Sequence, residues 1–139
     1  LTRVNGDYSM RSTAAAQLPR LTRRSDFLRM TRRARKAVAP GLVLQGLDGA
    51  EAAPARVGFT ASRKVGNAVA RNRARRRLQA AACDVLSARA KAGWDYVLIA
   101  RQATLERPYD ALLSDLDKAL SRLEANTRPS PADVADAKS

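Results

Sequence analysis

The chain is 139 residues long and 45% hydrophobic, with 26 Lys and Arg against 13 Asp and Glu, a formal charge of +13; it has material for one core and is drawn to polyanions. It has no His and one Cys, Cys83, which excludes Ser-His-Asp and Cys-His catalysis, Cys/His zinc sites and any internal disulfide. No apolar run nears the roughly 18 residues of a membrane span and no signal-peptide core stands near Leu1, so a soluble, cytoplasmic protein is expected.

Residues 1–17 show no hydrophobic periodicity and read as a disordered lead. Ser25 is placed to cap a short helix on which Phe27, Met30 and Thr31 share a face. A basic stretch to Lys36 and then Pro40-Gly41 lead into residues 42–47, which read as a strand closed by the turn chemistry of Asp48-Gly49. In residues 56–61, Val57, Phe59 and Ala61 alternate as in a half-buried strand. Beyond Gly66-Asn67 the pattern predicts a helix over about residues 68–90, with Ala70, Ala74, Leu78, Ala81 and Val85 as its apolar stripe and Gly93 beyond its end. Residues 96–100 form an apolar run suited to a central strand. Pro108 fits the first turn of a last helix whose Leu112, Leu116, Leu120 and Leu123 share one face. Thr127 to Pro131 breaks that helix, and residues 126–139 read as a disordered tail. Residues 18–125 therefore read as one α+β or α/β sandwich with helices packed on a single sheet.

The positive surplus lies in two blocks. Positions 20–36 hold eight basic residues and one acid, Asp26, and positions 56–77 hold eight and none. From Leu105 onward the balance reverses, with seven acids against five bases. Arg outnumbers Lys by 21 to 5, as suits planar, bidentate contact to phosphate, although a genome rich in G and C would also raise Arg and Ala. Arg71, Arg73, Arg75, Arg76 and Arg77 fall within two helical turns, all outside the apolar stripe. Like charges four apart cost a helix a few tenths of a kcal/mol per pair, and cations near its N-terminus oppose its dipole. Such an array makes sense where phosphates are normally bound. Gly66-Asn67 supplies a turn that brings Lys64 to the same surface.

Lys64-Val65-Gly66-Asn67-Ala68-Val69-Ala70-Arg71-Asn72-Arg73-Ala74-Arg75-Arg76 resembles the Arg-Asn-Arg signature of the bacterial ribonuclease P protein family. Residues 56–62 resemble the strand that precedes that motif, residues 21–27 the first helix and residues 96–101 the last strand, so the likeness covers about residues 18–125. It implies the element order αβββαβα, a small mixed sheet and a left-handed βαβ crossover, against the usual right-handed preference. It also implies the protein subunit of a ribonucleoprotein endonuclease that removes the 5′ leader of precursor tRNA. Its partners would be the catalytic RNA and the precursor tRNA, with no protein partner required. Catalysis would reside in the RNA, with magnesium held mainly by RNA and substrate and none by the protein alone. Carried over residue by residue, the likeness assigns Lys64, Arg71, Asn72, Arg73, Arg75 and Arg76 to contact with the catalytic RNA. It assigns Phe27, Thr31, Val43 and Gln45 to a cleft between the first helix and the sheet that receives the leader. The chain departs from the family at Thr31 and Gln45, where aromatics are usual, and at Ala34 and Gln79. This makes for a less aromatic cleft, with Arg29, Arg32 and Arg33 as compensating cations.

No catalytic or metal-binding residue is assigned. Asp110, Asp115 and Asp117 read as the solvated face of the last helix, and no carboxylates stand among the basic blocks as two-metal hydrolysis would need. Trp94 and Cys83 read as packing or incidental residues rather than sites. The alternatives are a generic ribosomal or assembly RNA-binding protein, a DNA-binding module, a polybasic membrane-surface protein, and a nuclease acting alone. With only Asn72 as a base-reading type, the arginine cluster favours phosphate contact over sequence readout, and bulky apolar anchors for a membrane surface are lacking.

Overall fold

The computed structural model describes residues 18–49 and 53–127. The expected lead over residues 1–17 lies outside these residues, as does the expected tail over residues 126–139 except for Asn126 and Thr127, which the last helix includes. The elements are α1 (Arg24–Arg33), β1 (Arg35–Val38), β2 (Leu42–Asp48), β3 (Arg56–Thr60), α2 (Ala68–Ala81), β4 (Trp94–Ala100), α3 (Gln102–Glu106) and α4 (Tyr109–Thr127). Together they make the expected α+β arrangement. The sheet order is β1-β2-β4-β3, antiparallel except between β3 and β4. A parallel pair needs a long crossover, and α2 lies in it.

Register sorts the side chains between the two faces of the sheet. Leu42, Leu44, Val57, Tyr96 and Leu98 point to the side where Ala74, Leu78 and Ala81 of α2 and Leu112, Leu116, Leu120 and Leu123 of α4 complete the main core. The four α4 leucines are fully buried, each contributing on the order of 2 kcal/mol. The other face carries Val43, Gln45, Leu47, Val97, Ile99 and Gly58, and α1 covers it through Phe27 and Met30. Ten residues make a helix of only about 15 Å. Burial therefore falls off along this face: Gln45, Val97 and Gly58 are buried, Val43, Ile99 and Thr60 are half-buried, and Val38 is 51% exposed.

Several local expectations need correction. Ser25 lies inside the first turn of α1, because the helix begins at Arg24 with Arg23 at the cap position and no capping side chain. The helix expected over residues 68–90 is α-helical only to Ala81. A π-helical turn, Ala82–Leu86, follows, and Ser87–Arg89 resume the α-helix. One extra residue per turn rotates the buried stripe, so Leu86 rather than Val85 is the fully buried side chain. Neither β1 nor α3 was assigned from the residues. Only Ala37 of β1 is buried and only Thr104 of α3, too few for a hydrophobic period.

Asp115 is not solvated with Asp110 and Asp117 but is 5% exposed. Its Oδ2 accepts from the Gly41 N–H at 3.0 Å and from Arg107 Nε at 2.6 Å, and its Oδ1 accepts from Arg107 Nη2 at 3.0 Å. A Cβ at Gly41 would stand 2.7 Å from both Asp115 Oδ2 and Leu112 Cδ1. The absence of a side chain there lets the β1–β2 turn reach the acid, and Arg107 neutralises it.

Candidate nucleic-acid interface

The start of α2 is set by two residues. Gly66 has φ +149°, and a Cβ on it would lie 2.8 Å from Ala70 Cβ, so the position requires glycine. Asn67 Oδ1 accepts the Ala70 N–H at 2.9 Å, an N-cap that satisfies one orphan donor. With Ala74, Leu78 and Ala81 packed inward, the opposite face presents Val69, Asn72, Arg73 and Arg76 to solvent. Val69 is 74% exposed, so among the described residues this face is left open. Arg71 and Arg75 flank it, half-buried; Arg71 Nη1 donates to the Gly66 carbonyl at 3.3 Å and Arg75 donates to Asn72 Oδ1. The ion pairs among the described residues engage Arg29, Arg56, Arg89 and Arg107 and no arginine of α2. Lys64 is exposed in the turn before the helix. The structure thus gathers Lys64, Arg71, Asn72, Arg73, Arg75 and Arg76 on and around one outward surface.

Arg77 departs from the expected outward row. It turns toward α3 and donates from Nη1 to the Thr104 carbonyl at 2.5 Å and from Nη2 to the Arg107 carbonyl at 2.6 Å. At 100° per residue, position 77 falls on the opposite flank of α2 from Arg71 and Arg75, where α3 packs.

The four residues expected in the leader cleft are not all accessible. Phe27 lies over Gly58, where a Cβ would be 2.8 Å from ring atoms Cε1 and Cζ, and it packs against the cluster of Leu21, Met30 and Val97. It is half-buried and part of a small core. Gln45, expected to face a ligand, is 5% exposed, because its place on β2 lies in the covered part of the sheet. Val43, level with Ile99 on β4, sits toward the open end. Thr31 is exposed, and its hydroxyl donates to the Phe27 carbonyl at 3.0 Å.

The expected cationic compensation is also smaller. Arg29 Nη2 donates to Asp95 Oδ2 at 2.5 Å, and Arg56 donates to both oxygens of Asp95, at 2.9 and 2.8 Å. Asp95 is only 7% exposed and stands opposite Arg56 in the β3–β4 register, so its charge must be met locally. The hydrogen-bonded carboxylate holds the Arg56 guanidinium above its usual range. Arg32 and Arg33 remain exposed at the end of α1.

A second opening carries no signal in the hydrophobic pattern. An open cleft of about 930 Å³ lies where the C-terminal ends of β3 and β4 meet the approach to α2, lined by Ser62, Lys64, Val65, Ile99, Arg101 and Gln102 among others. The available cue was the polar residues directly after two strand ends, a common place for ligands in parallel sheets. Ile99 belongs to both surfaces, so this cleft continues the uncovered end of the sheet toward Lys64. Cys83 and Trp94 pack as expected: burial pushes the Cys83 thiol up, and Trp94 stacks on Tyr96 with ring centroids 5.9 Å apart. Among the described residues no three His, Cys, Asp or Glu side chains group as a metal site would need. No helix among them is long and apolar enough to cross a membrane.

Residues 16–124 match the family model described as Ribonuclease P. A ribonuclease P protein component from Paramagnetospirillum magneticum is 52% identical over 126 residues, covering 88% of this chain and 95% of that one. Another from Ruegeria pomeroyi is 51% identical over 115 residues, covering 81% and 91%. Among solved structures, the RNase P protein of Staphylococcus aureus superposes with a TM-score of 0.62 at 23% identity, covering 76% of this chain and 94% of that one. The RNase P protein of Thermotoga maritima gives 0.62 at 22%, covering 76% and 96%.

Proposed function

The chain belongs to the ribonuclease P protein family, and from that membership we infer that the exposed arginine face of α2 docks the catalytic RNA of a tRNA-processing ribonucleoprotein. The chain is the protein subunit of ribonuclease P, and its partners are the ribonuclease P RNA and precursor tRNA. The observation that carries the docking assignment is the solvent-facing set of Asn72, Arg73 and Arg76, whose two arginines no carboxylate of the described residues neutralises in an ion pair. Each phosphate these cations meet releases condensed counterions, and that release drives association. Lys64 extends the same surface to the cleft.

The uncovered end of the α1-side face, with Val43, Ile99 and the half-buried Phe27, receives the single-stranded leader. Phe27 and Thr31 form the α1 side of this groove, and Gln45 supports its floor from beneath. Single strands are held by stacking and by a cationic groove; here most of the grip comes from cations and apolar contact, since Phe27 is the one aromatic of the expected set. Magnesium resides with the RNA and substrate. Among the described residues the two most buried carboxylates, Asp95 and Asp115, are each held by arginine, and no three His, Cys, Asp or Glu side chains group as a donor set for it. The assembly works in the cytoplasm and needs no protein partner.

The test is reconstitution. Purified protein alone is expected to leave precursor tRNA intact, and cognate catalytic RNA with the protein is expected to release the leader at magnesium concentrations where the RNA alone is slow. Cleavage without RNA would contradict the accessory role. Binding to many RNAs with no stimulation of cleavage would favour a generic RNA-binding protein.

A further inference from the structure

Arg77 is the arginine of α2 that faces the protein, and its contacts run on to the cleft. The two carbonyls it holds, those of Thr104 and Arg107, lie at the C-terminal end of α3. Thr104 is fully buried. Its hydroxyl accepts the Arg101 N–H at 2.9 Å and donates to the Gly41 carbonyl at 2.5 Å. Arg101 Nη1 donates to the Ala39 carbonyl at 2.6 Å, and Arg107 holds Asp115, which takes the Gly41 N–H. The opposite end of α3 supplies Gln102 and Ala103 to the cleft, next to Arg101, with Pro40 of the β1–β2 turn beside them and Ser62 and Lys64 also lining it. A continuous run of hydrogen bonds thus joins the middle of α2 to one wall of the cleft.

We propose that Arg77 is a positioning residue that fixes this wall, made by α3 and the β1–β2 turn, relative to the RNA-docking face of α2. RNA held on α2 and a strand held in the cleft are then presented in one geometry. The proposal rests on the reading of α2 as the docking face and of the open sheet end as the leader site. A planar guanidinium that bonds two carbonyls fixes both distance and angle, which a single ammonium point charge does not. Arg77 itself makes no contact with RNA.

The experiment compares the full-length protein with its Arg73→Ala, Arg77→Met and Arg77→Lys variants in two measurements. The first is the salt dependence of binding to catalytic RNA. The second, on holoenzyme at saturating protein, is the ratio of affinities for leader-bearing precursor and mature tRNA. Arg73→Ala is expected to reduce the salt slope by about 1, and Arg77→Met to leave it at the wild-type value. Arg77→Met is expected to lower the precursor-to-mature ratio roughly three- to tenfold, with Arg77→Lys in between. A slope loss in Arg77→Met equal to that of Arg73→Ala would make Arg77 a phosphate contact and overturn the proposal, as would an unchanged ratio in folded Arg77→Met. Should Arg77→Met not fold, Arg77→Lys decides: an unchanged slope with a lowered ratio supports the proposal, and a wild-type ratio overturns it. An unchanged slope in Arg73→Ala would show that the docking face itself is misplaced, a distinct failure that takes the proposal with it.

Discussion

The arginines of this chain are chemically alike, and what each one does is decided by the group within reach of its guanidinium. Arg73 and Arg76 are exposed and have no ion-pair partner among the described residues, Arg77 reaches two carbonyls, and Arg29 and Arg56 converge on Asp95. Local sequence cannot separate these cases, because Asp95 lies 66 residues from Arg29 and 39 from Arg56. The motif around Asn72 was legible because it is a local constellation, whereas the burial of Asp115 depended on Gly41, 74 residues away. Asp95 also fixes α1 over the sheet. Replacing it with Ala would leave Arg29 and Arg56 only their longer ion pairs to Asp26, at 3.7 and 3.6 Å, and both are about one-third exposed, so solvent would reduce the usual penalty for breaking a buried pair. We expect Asp95→Ala to cost about 2 kcal/mol in urea denaturation. An unchanged midpoint would mean that α1 is held by the packing of Phe27 and Met30 and the Asp26–Arg56 ion pair without help from Asp95.

At the scale of elements, the clearest sequence signals were periods long enough to bury a stripe. The leucines of α4 and the alternation in β3 led directly to their places in the core. β1, which only the resemblance implied, has no hydrophobic period of its own because it is an edge strand with Arg35 and Lys36 exposed, as edges that must not pair further tend to be. The π-turn escaped notice because nothing in residues 82–86 departs from a helical pattern except the identity of the side chain that ends up buried. Helix α2 carries several like charges at its start and has no acid in its first turn, so its cap matters more than most. Asn67→Ala is expected to lose about 1 kcal/mol of stability, read by thermal or urea unfolding, and to weaken catalytic RNA binding as the first turn frays. Full retention of both would show that Gly66 and tertiary packing alone define the helix start.

Taken whole, the molecule divides its sheet between two tasks. One face, under α2 and α4, is the main core; the other, under the short α1, is left partly open at the end that leads to Lys64 and α2. The excess of cations, +13 over the full chain, is displayed where few carboxylates reach, while the acids at Asp95, Asp115 and Asp117 each hold an arginine in place. The composition announced a polyanion partner, but only the register of β2, β3 and β4 shows which side of the sheet stays open. The central claim, that α2 meets RNA through its outward arginines, is tested most directly by the salt dependence of binding to catalytic RNA. Neutralising about six phosphates gives a slope of log K against log[salt] on the order of −4 to −5. Replacing Arg73 and Arg76 together with Ala is expected to flatten that slope by about 2. A slope left at the wild-type value would place the interface on another surface.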